Sequence, residues 1–304
     1  MRRDEPQPAR FTSVDAYRPT LAGLIGPDAA AAALDSWLSR RLADVADPGF
    51  AARFRAHFAR FDAPALAYAP RVLRVGRCDL LARIRFYGGD GARPFVDLLA
   101  WSHDFDVAAA CAAIRAEWRR FAPFAVRVLA GPAPPWPGAY ADQTLHAARA
   151  AAMPAPVGAC TLVAETDIDR ALGLVRDRHA ALGRSDPALA AELYPADHDT
   201  LAACRDRGTL HTIAVDGRIA GLIATLPGTI EFLPCHLVVE EIVSAPFSGR
   251  GLAAEAQRCL AARLRLTDPA SVLAGTIQRS NRASAVSAVR AGRPVAFSYW
   301  FVAL

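Results

Sequence analysis

The stretch Ile242-Val-Ser-Ala-Pro-Phe-Ser-Gly-Arg-Gly-Leu-Ala-Ala254 places two glycines between two segments of different periodicity. The preceding residues, 236–243, are apolar and β-branched, and they predict a buried strand that carries two adjacent carboxylates, Glu240 and Glu241. The following residues space their leucines, from Leu252 to Leu264, along one face of a helix. A strand, a glycine-containing loop and a helix in this order present free backbone N–H groups to a phosphate.

The spacing Ser248-Gly-Arg-Gly-Leu-Ala253 resembles the pyrophosphate loop of the GNAT superfamily, the acyl-CoA-dependent N-acyltransferases. The family pattern is Arg or Gln, two residues, Gly, one residue, then Gly or Ala. Gly251 and Ala253 match this pattern, whereas Ser248 stands where Arg or Gln is expected. The family's Val-x-Pro strand ending is shifted by one residue, which leaves a register anchored on the glycines and one anchored on Pro246. The alternative interpretation is an ordinary Gly-rich turn between a strand and a helix.

The order of the neighbouring segments extends the resemblance to residues 158–304. A second predicted strand, residues 271–277, is followed by Asn281 and a helix-compatible segment that ends at Gly292. The family has an Asn after this strand and a Gly-Phe pair about a dozen residues later; here Arg293 replaces the Phe. Upstream, residues 210–224 predict a hairpin with a two-residue Asp-Gly turn.

The sequence therefore predicts an α/β protein of the α+β type with a mixed sheet. A GNAT-like acyl-CoA-binding domain is expected at 158–304, after a smaller N-terminal α+β domain at 21–130. The smaller domain is interpreted either as a degenerate GNAT copy or as an unrelated accessory domain. Residues 1–20 are predicted to be a loose arm. The Pro/Gly-rich residues 131–157 are predicted to be a linker with a short helix, Tyr140 to Ala152.

The resemblance implies a set of positions for acetyl-CoA as co-substrate. The loop backbone would hold the pyrophosphate, and the strand end before the loop would pair with the pantetheine amides. The family's Asn contacts the pantetheine arm. Carried over onto this sequence, the co-substrate-binding residues are Ile242, Val243, Ser244, Ser248, Gly249, Arg250, Gly251, Leu252, Ala253, Ala254 and Asn281.

Glu240 and Glu241 are the candidates for the general base. Neighbouring residues of a strand point to opposite faces, and a buried unpaired carboxylate is costly, so at least one should face a polar cleft or an arginine. The register anchored on Pro246 favours Glu240, and a structural ion pair is the alternative role. The Tyr with which many family members protonate the thiolate is replaced by Ala288. Tyr299 or Ser284 could substitute for it.

The resemblance implies an N-acetyltransferase that moves an acetyl or other acyl group to a primary amine of a small molecule, by direct attack in a ternary complex. Acidic residues in the segment 183–209 would suit a cationic amine. Two alternatives stay open: a non-catalytic module that senses acyl-CoA, and an acetyltransferase that acts on a protein amine.

The amino-acid composition narrows the possible functions further. The 304 residues are 53% hydrophobic and 21% charged, and the net charge of +5 is carried by arginines scattered among Asp and Glu, which argues against nucleic-acid binding. The six cysteines have no zinc-like spacing, so no metal is expected. A signal-peptide core and a run of 18 apolar residues are both lacking, which predicts a cytoplasmic protein without membrane contact. The N-terminal domain could close over the acceptor or form a homodimer.

Overall fold

The computed structural model describes residues 10–58 and 61–304 of the chain. They form two compact units. The first contains the described residues up to Asp142 together with Ser298–Leu304, and the second contains Gln143–Phe297. In chain order the helices are α1 (Arg18–Ile25), α2 (Pro27–Ala43), α3 (Pro48–His57), α4 (Val107–Glu117), α5 (Ile168–Ser185), α6 (Pro187–Glu192), α7 (His198–Asp206), α8 (Leu252–Thr267) and α9 (Arg282–Ala291). The strands are β1 (Arg71–Val75), β2 (Cys78–Phe86), β3 (Pro94–Trp101), β4 (Ala125–Ala130), β5 (Tyr140–Arg149), β6 (Thr161–Ala164), β7 (Leu210–Val215), β8 (Arg218–Ile230), β9 (Leu233–Val243), β10 (Val272–Gln278) and β11 (Val295–Ala303).

The first unit has a mixed sheet with an apolar core that includes Tyr68, Trp118 and Phe121. Strand β1 pairs antiparallel with β2, and β2 antiparallel with β3. Helix α4 then crosses over, so β3 and β4 run parallel. The far edge of β4 pairs antiparallel with residues 298–303 of β11. These last residues were predicted to belong to the C-terminal domain, and their ladder with β4 places them in the first unit instead.

The second unit has a mixed sheet with apolar clusters on both faces. Strands β6, β7, β8 and β9 pair antiparallel in succession. Helix α8 crosses over to β10, which runs parallel to β9, and the other edge of β10 pairs antiparallel with residues 143–149 of β5. One cluster lies under α8 and the other under α5 and α7. The α/β class with a mixed sheet, predicted from sequence, is confirmed.

Both units share one connectivity: two antiparallel steps, a helical crossover to a parallel strand, and a final antiparallel strand. The second unit has one further antiparallel strand, β6, at its start. A bulge also recurs, at Leu99 of β3 and at Val239 of β9, where one extra residue interrupts the ladder. This repetition favours a degenerate copy over an unrelated accessory domain. The loop before α8 contains Gly249 and Gly251, whereas the corresponding loop of the first unit, before α4, reads Ser-His-Asp-Phe-Asp and contains no glycine.

The predicted helix Tyr140–Ala152 is wrong, because most of this segment is strand β5. Residues 143–149 pair along the whole of β10, and Leu145, Ala147 and Ala148 are buried. The alanines favour a helix locally, but the ladder with β10 and the burial of both faces of the strand outweigh that weak preference.

The predicted loose arm also needs correction beyond residues 1–9, which lie outside the described residues. A short 3-10 turn, Thr12–Tyr17, leads directly into α1. Val14, Tyr17 and Leu21 are buried, and the Tyr17 hydroxyl donates a hydrogen bond to the carbonyl of Leu129 at 2.8 Å. Regularly spaced apolar side chains therefore fix this segment onto the first unit.

Strands β8 and β9 approach so closely at Gly221 that a side chain does not fit. A Cβ there would lie 2.1 Å from the carbonyl oxygen of Ile242. We expect Gly221→Ala to lower the free energy of unfolding by about 3 kcal/mol or more, because the obstacle is backbone. Denaturant titration measures this loss. Gly228→Ala, on the same strand but with open space around its Cβ, is the matched control and should change stability little. Equal effects of the two changes would contradict the prediction.

Candidate active site

A β-bulge interrupts β9 beside the two carboxylates. Ala224 of β8 lies opposite Glu240. The next residue, Thr225, lies opposite Val238, so Val239 is an extra residue on β9. Such an extra residue bends the strand and redirects the side chains next to it. The bulge therefore determines where Glu240 is aimed.

Strands β9 and β10 separate beside this bulge. Their parallel pairing covers His236 with Leu273 and Leu237 with Ala274. Further along, no ladder joins the two strands in the described part of the chain, so their facing edges are open to another partner. A cavity of about 590 Å³ lies at this opening, lined by residues of β9, β10, α5, α6 and α9. An extended ligand with amide groups could pair with these edges as an added strand.

Glu240 lines the cavity and faces the loop between α6 and α7. Its Oε2 accepts a hydrogen bond from the Ala196 N–H at 2.9 Å, and its Oε1 accepts one from the Glu241 N–H at 3.1 Å. Burial raises the pKa of Glu240 above its usual range, although these two N–H groups and the charge of His179 partly oppose the shift. A carboxylate with a raised pKa beside a cavity is a general-base candidate.

Glu241 lines the same cavity but faces α8, opposite to Glu240. Its Oε2 accepts a hydrogen bond from Gln257 Nε2 at 2.5 Å, and Gln257 Oε1 accepts one from Arg293 Nε at 2.9 Å. Burial raises the pKa of Glu241 to about 7, against the lowering effect of Arg293 and Gln257. The two carboxylates therefore occupy opposite faces, as strand alternation predicts.

The glycine loop ends in an open helix N-terminus. Gly249 and Gly251 have φ angles of +77° and +76°, and nothing lies within 4 Å of a Cβ built at either position. Gly251 precedes α8 without a side-chain capping bond. The first N–H groups of a helix have no intrahelical partner and carry the positive end of its dipole. The loop thus provides open space and unsatisfied donors for an anion.

Two arginines flank this loop. The guanidinium of Arg250 lies 5.6 Å from the ring centroid of Phe247, and that of Arg218 lies 5.3 Å from the same ring. Arg250 was predicted from the motif. Arg218 was missed, because it begins β8 and only the folding of the β7–β8 hairpin brings it to Phe247.

The start of α9 forms another wall of the cavity. Asn281 caps the helix through its Oδ1, which accepts a hydrogen bond from the Ser284 N–H at 3.2 Å, and both residues line the cavity. Asn281 therefore lines the same cavity as the two carboxylates. Ala288, at the place of the family's Tyr, is fully buried.

Tyr194 is a cavity residue that the sequence reasoning missed. It lies in the loop after α6, is 63% exposed and lines the cavity. The same wall is connected to the start of α9 by a hydrogen bond from the Ser280 hydroxyl to Glu192. Tyr299, suggested from sequence as a thiolate-protonating acid, belongs to the first unit, where Arg127 stacks on its ring.

The structure sorts the predicted site residues into three groups. Four of them line the cavity: Glu240, Glu241, Ile242 and Asn281. Two form the strand end: Val243, which packs on the cluster under α8, and Ser244, whose N–H donates to the Ala220 carbonyl at 2.9 Å. The others form the loop and first helical turn: Ser248, Gly249, Arg250, Gly251, Leu252, Ala253 and Ala254. Because the side chains of Leu252 and Ala254 are buried, these two residues present only their backbone.

Several solved structures similar to this chain are described as GNAT-family acetyltransferases. A structure described as an acetyltransferase from the GNAT family from Colwellia psychrerythraea is 10% identical, covers 83% of this chain and 94% of its own, and has a TM-score of 0.47. The chain is similar in structure to GNAT-family acetyltransferases. A tandem GNAT protein from the clavulanic acid biosynthesis pathway is 16% identical, with coverage of 77% and 82% and a TM-score of 0.42.

A third structure, a GNAT-family acetyltransferase from Listeria monocytogenes, is 16% identical and covers 50% of this chain and 99% of its own, with a TM-score of 0.39. No protein-family model and no curated protein matches the chain. At such low identities and TM-scores, these likenesses carry no argument about activity or substrate, which depends on the cavity residues.

Two features are lacking in residues 10–58 and 61–304. No group of three or more His, Cys, Asp or Glu side chains is placed to hold a metal ion. None of the helices there combines the length and apolar character needed to cross a bilayer.

Proposed function

We propose that the second unit is an acyl-CoA-dependent N-acyltransferase domain that acylates a primary amine of a small molecule. The observation that carries this proposal is the cavity where β9 and β10 separate, which is lined by two carboxylates of β9, the strand that leads into the glycine loop and the uncapped N-terminus of α8. Acetyl-CoA or a related acyl-CoA is the proposed donor, and attack by the amine is direct, in a ternary complex.

The residues present fit an acyl-CoA. The loop around Gly249 and Gly251 offers open space and helix N–H groups for phosphates, with Arg218 and Arg250 nearby. The free edge of β9 offers backbone groups for amides, and Asn281 offers its side-chain amide. When bound, the acyl-CoA supplies the thioester carbonyl that the amine attacks.

The roles of the chain's own residues follow from their places. Glu240 accepts a proton from the amine, because its carboxylate faces the cavity wall formed by α5 and the loop after α6. A backbone N–H on the free edge of β9 donates to the carbonyl oxygen as negative charge develops on it. The Tyr194 hydroxyl is the candidate donor of a proton to the departing thiolate, since Ala288 cannot fill that role.

Two other functions remain as alternatives. The buried Ala288 leaves the usual acid position without a titratable group, which favours a sensor that binds acyl-CoA without turnover. A protein amine is the other alternative acceptor. The cytoplasmic location and the homodimer stay predictions from the sequence.

Calorimetry with acetyl-CoA, followed by an assay of thiol release over a panel of amines, tests the proposal. Binding together with amine-dependent thiol release would support the enzyme. Binding without release for any amine would favour the sensor. The lack of binding at millimolar acetyl-CoA would contradict both functions.

A further inference from the structure

Arg293 is a buried cation at the point where the two central strands separate. It lies two residues after the end of α9, behind the C-cap Gly292, and is 2% exposed. Its N–H donates to the Ala288 carbonyl at 2.9 Å, and its own carbonyl accepts a hydrogen bond from His146 Nδ1 at 3.0 Å. The backbone of Arg293 is therefore held from both sides, so its side chain leaves α9 in a fixed place.

The guanidinium is only partly satisfied. Its Nε donates to Gln257 Oε1 at 2.9 Å, whereas Nη1 is buried without a hydrogen-bond partner in the described part of the chain. Arg293 and Gly275 both line the cavity, and Nη1 lies 3.5 Å from the place where a Cβ of Gly275 would be. That place is also 3.6 Å from Val238 Cβ, so Nη1 lies near Gly275 of β10 and Val238 of β9, where the ladder between the two strands has ended. A buried donor left unpaired is costly, which points to a missing acceptor.

The protein supplies only a partial counter-charge to this cation. Glu241 bonds to Gln257 and reaches Arg293 through it. Burial raises the pKa of Glu241 to about 7, so a large part of its population is protonated at neutral pH. The neighbouring imidazole of His146 adds no negative charge, and burial lowers its pKa, which keeps the ring neutral.

We propose that Arg293 binds a carboxylate in the cavity, at the point where β9 and β10 begin to separate, and that this carboxylate is the far end of the donor's acyl chain. This inference rests on the proposed function and names its donor class: a thioester of a dicarboxylic acid. The phosphate loop follows the C-terminal end of β9, whereas Val238, Gly275 and Arg293 lie where the strands begin to separate. A donor held by its phosphates at the loop and extended along β9 would bring its acyl end to Arg293.

The test compares two unreactive CoA thioethers that differ by one carboxylate, 3-carboxypropyl-CoA and butyl-CoA. The wild-type protein should bind the carboxylate ligand about tenfold more tightly or better, because a charge-assisted bond then satisfies Nη1. Arg293→Met should abolish this preference while the affinity for butyl-CoA stays unchanged. Calorimetry measures both affinities. Equal affinity of the wild type for the two ligands, or a preference that survives in Arg293→Met, would overturn the assignment to the acyl chain.

Gly275→Ala is the second variant, and it keeps the test valid if Arg293→Met does not fold. Its Cβ would occupy the space in front of Nη1 at ordinary contact distances, so the charge remains but access to it is reduced. The preference for 3-carboxypropyl-CoA should fall severalfold in Gly275→Ala. An undiminished preference would show that the carboxylate does not reach Nη1 through this space, and would overturn the proposal.

The carboxylate could instead belong to the acceptor. Thiol release from acetyl-CoA is therefore compared for an amino acid and the amine formed by its decarboxylation. If Arg293→Met removes a preference for the amino acid while the two thioethers bind the wild type equally, the carboxylate comes from the acceptor and the assignment to the donor is overturned. If butyl-CoA and CoA also fail to bind, the proposed function itself fails.

Discussion

Glu240→Gln is expected to lower turnover by about two to four orders of magnitude, the range found when a general base is removed. The amide is nearly the same size as the carboxylate, and its one oxygen can still accept the Ala196 N–H, although the bond from the Glu241 N–H is lost. We therefore expect the fold to be retained and the affinity for acetyl-CoA to be unchanged. Steady-state kinetics with acetyl-CoA and the best amine of the panel measures the loss. Calorimetry with acetyl-CoA checks that binding is retained.

The pH dependence of turnover gives a second measure of the same role. Because burial raises the pKa of Glu240, the carboxylate is ionised, and able to accept a proton, only above this raised value. Wild-type turnover should therefore fall as the pH decreases through the raised pKa. Turnover of the Glu240→Gln variant should not show this fall at acidic pH, since its amide does not take up a proton there.

Glu241→Gln is the matched control, because Glu241 is adjacent in sequence and faces α8 rather than the α6–α7 loop. It should change turnover little if Glu240 is the base. Loss of turnover in Glu241→Gln, with normal turnover in Glu240→Gln, would reverse the two roles and favour the register anchored on the glycines. Normal turnover in both variants would make both carboxylates structural.

Gly251→Val should abolish measurable binding of acetyl-CoA. The protein leaves open space at this position, so the new side chain meets no neighbour and occupies the approach to the N-terminus of α8. The φ angle of +76° adds strain, because a left-handed conformation costs a non-glycine residue about 1–2 kcal/mol. Because the side chain also blocks the phosphate position, the loss of binding should be larger than the backbone strain alone explains. Calorimetry measures binding, and denaturant titration measures stability.

Gly217→Val separates the two effects. Gly217 has a φ of +73° and is also open to solvent, but it lies in the turn between β7 and β8. Both variants should lose similar stability, and only Gly251→Val should lose binding. Equal loss of binding in the two variants would mean that strain in the unit, rather than a blocked phosphate position, explains the effect.

Features that depend on local spacing could be predicted from the sequence. Residues 236–243, the glycine loop and α8 follow from β-branched periodicity, left-handed glycine positions and helical periodicity, and each of these signals spans only a few residues. The opposite facing of Glu240 and Glu241 follows from strand alternation alone. The bulge at Val239 could not be predicted, because it depends on the register with β8 rather than on a local pattern.

Features that depend on distant partners were missed. Strand β5 has a helix-compatible composition and becomes a strand through its ladder with β10. Arg293 was noted only as a departure from the family pattern, and its buried position depends on Gln257 and His146, far away in the sequence. Tyr194 lies in an irregular loop whose path is fixed by tertiary contacts.

The strand that completes the sheet of the first unit, β11, comes after the whole of the second unit in sequence. This order has a consequence for how the chain folds during synthesis. The edge of β4 is completed by β11, and Trp300 of β11 also donates a hydrogen bond from its Nε1 to the carbonyl of Gly131, just after β4 and 169 residues away in sequence. The ribosome delivers β4 long before β11, so the nascent first unit waits with an exposed strand edge while the second unit is translated. Unpaired edges promote aggregation, and contacts of such long range slow folding. We expect the nascent chain to depend on chaperones throughout that interval, and the rate of refolding to be limited by the docking of its last residues.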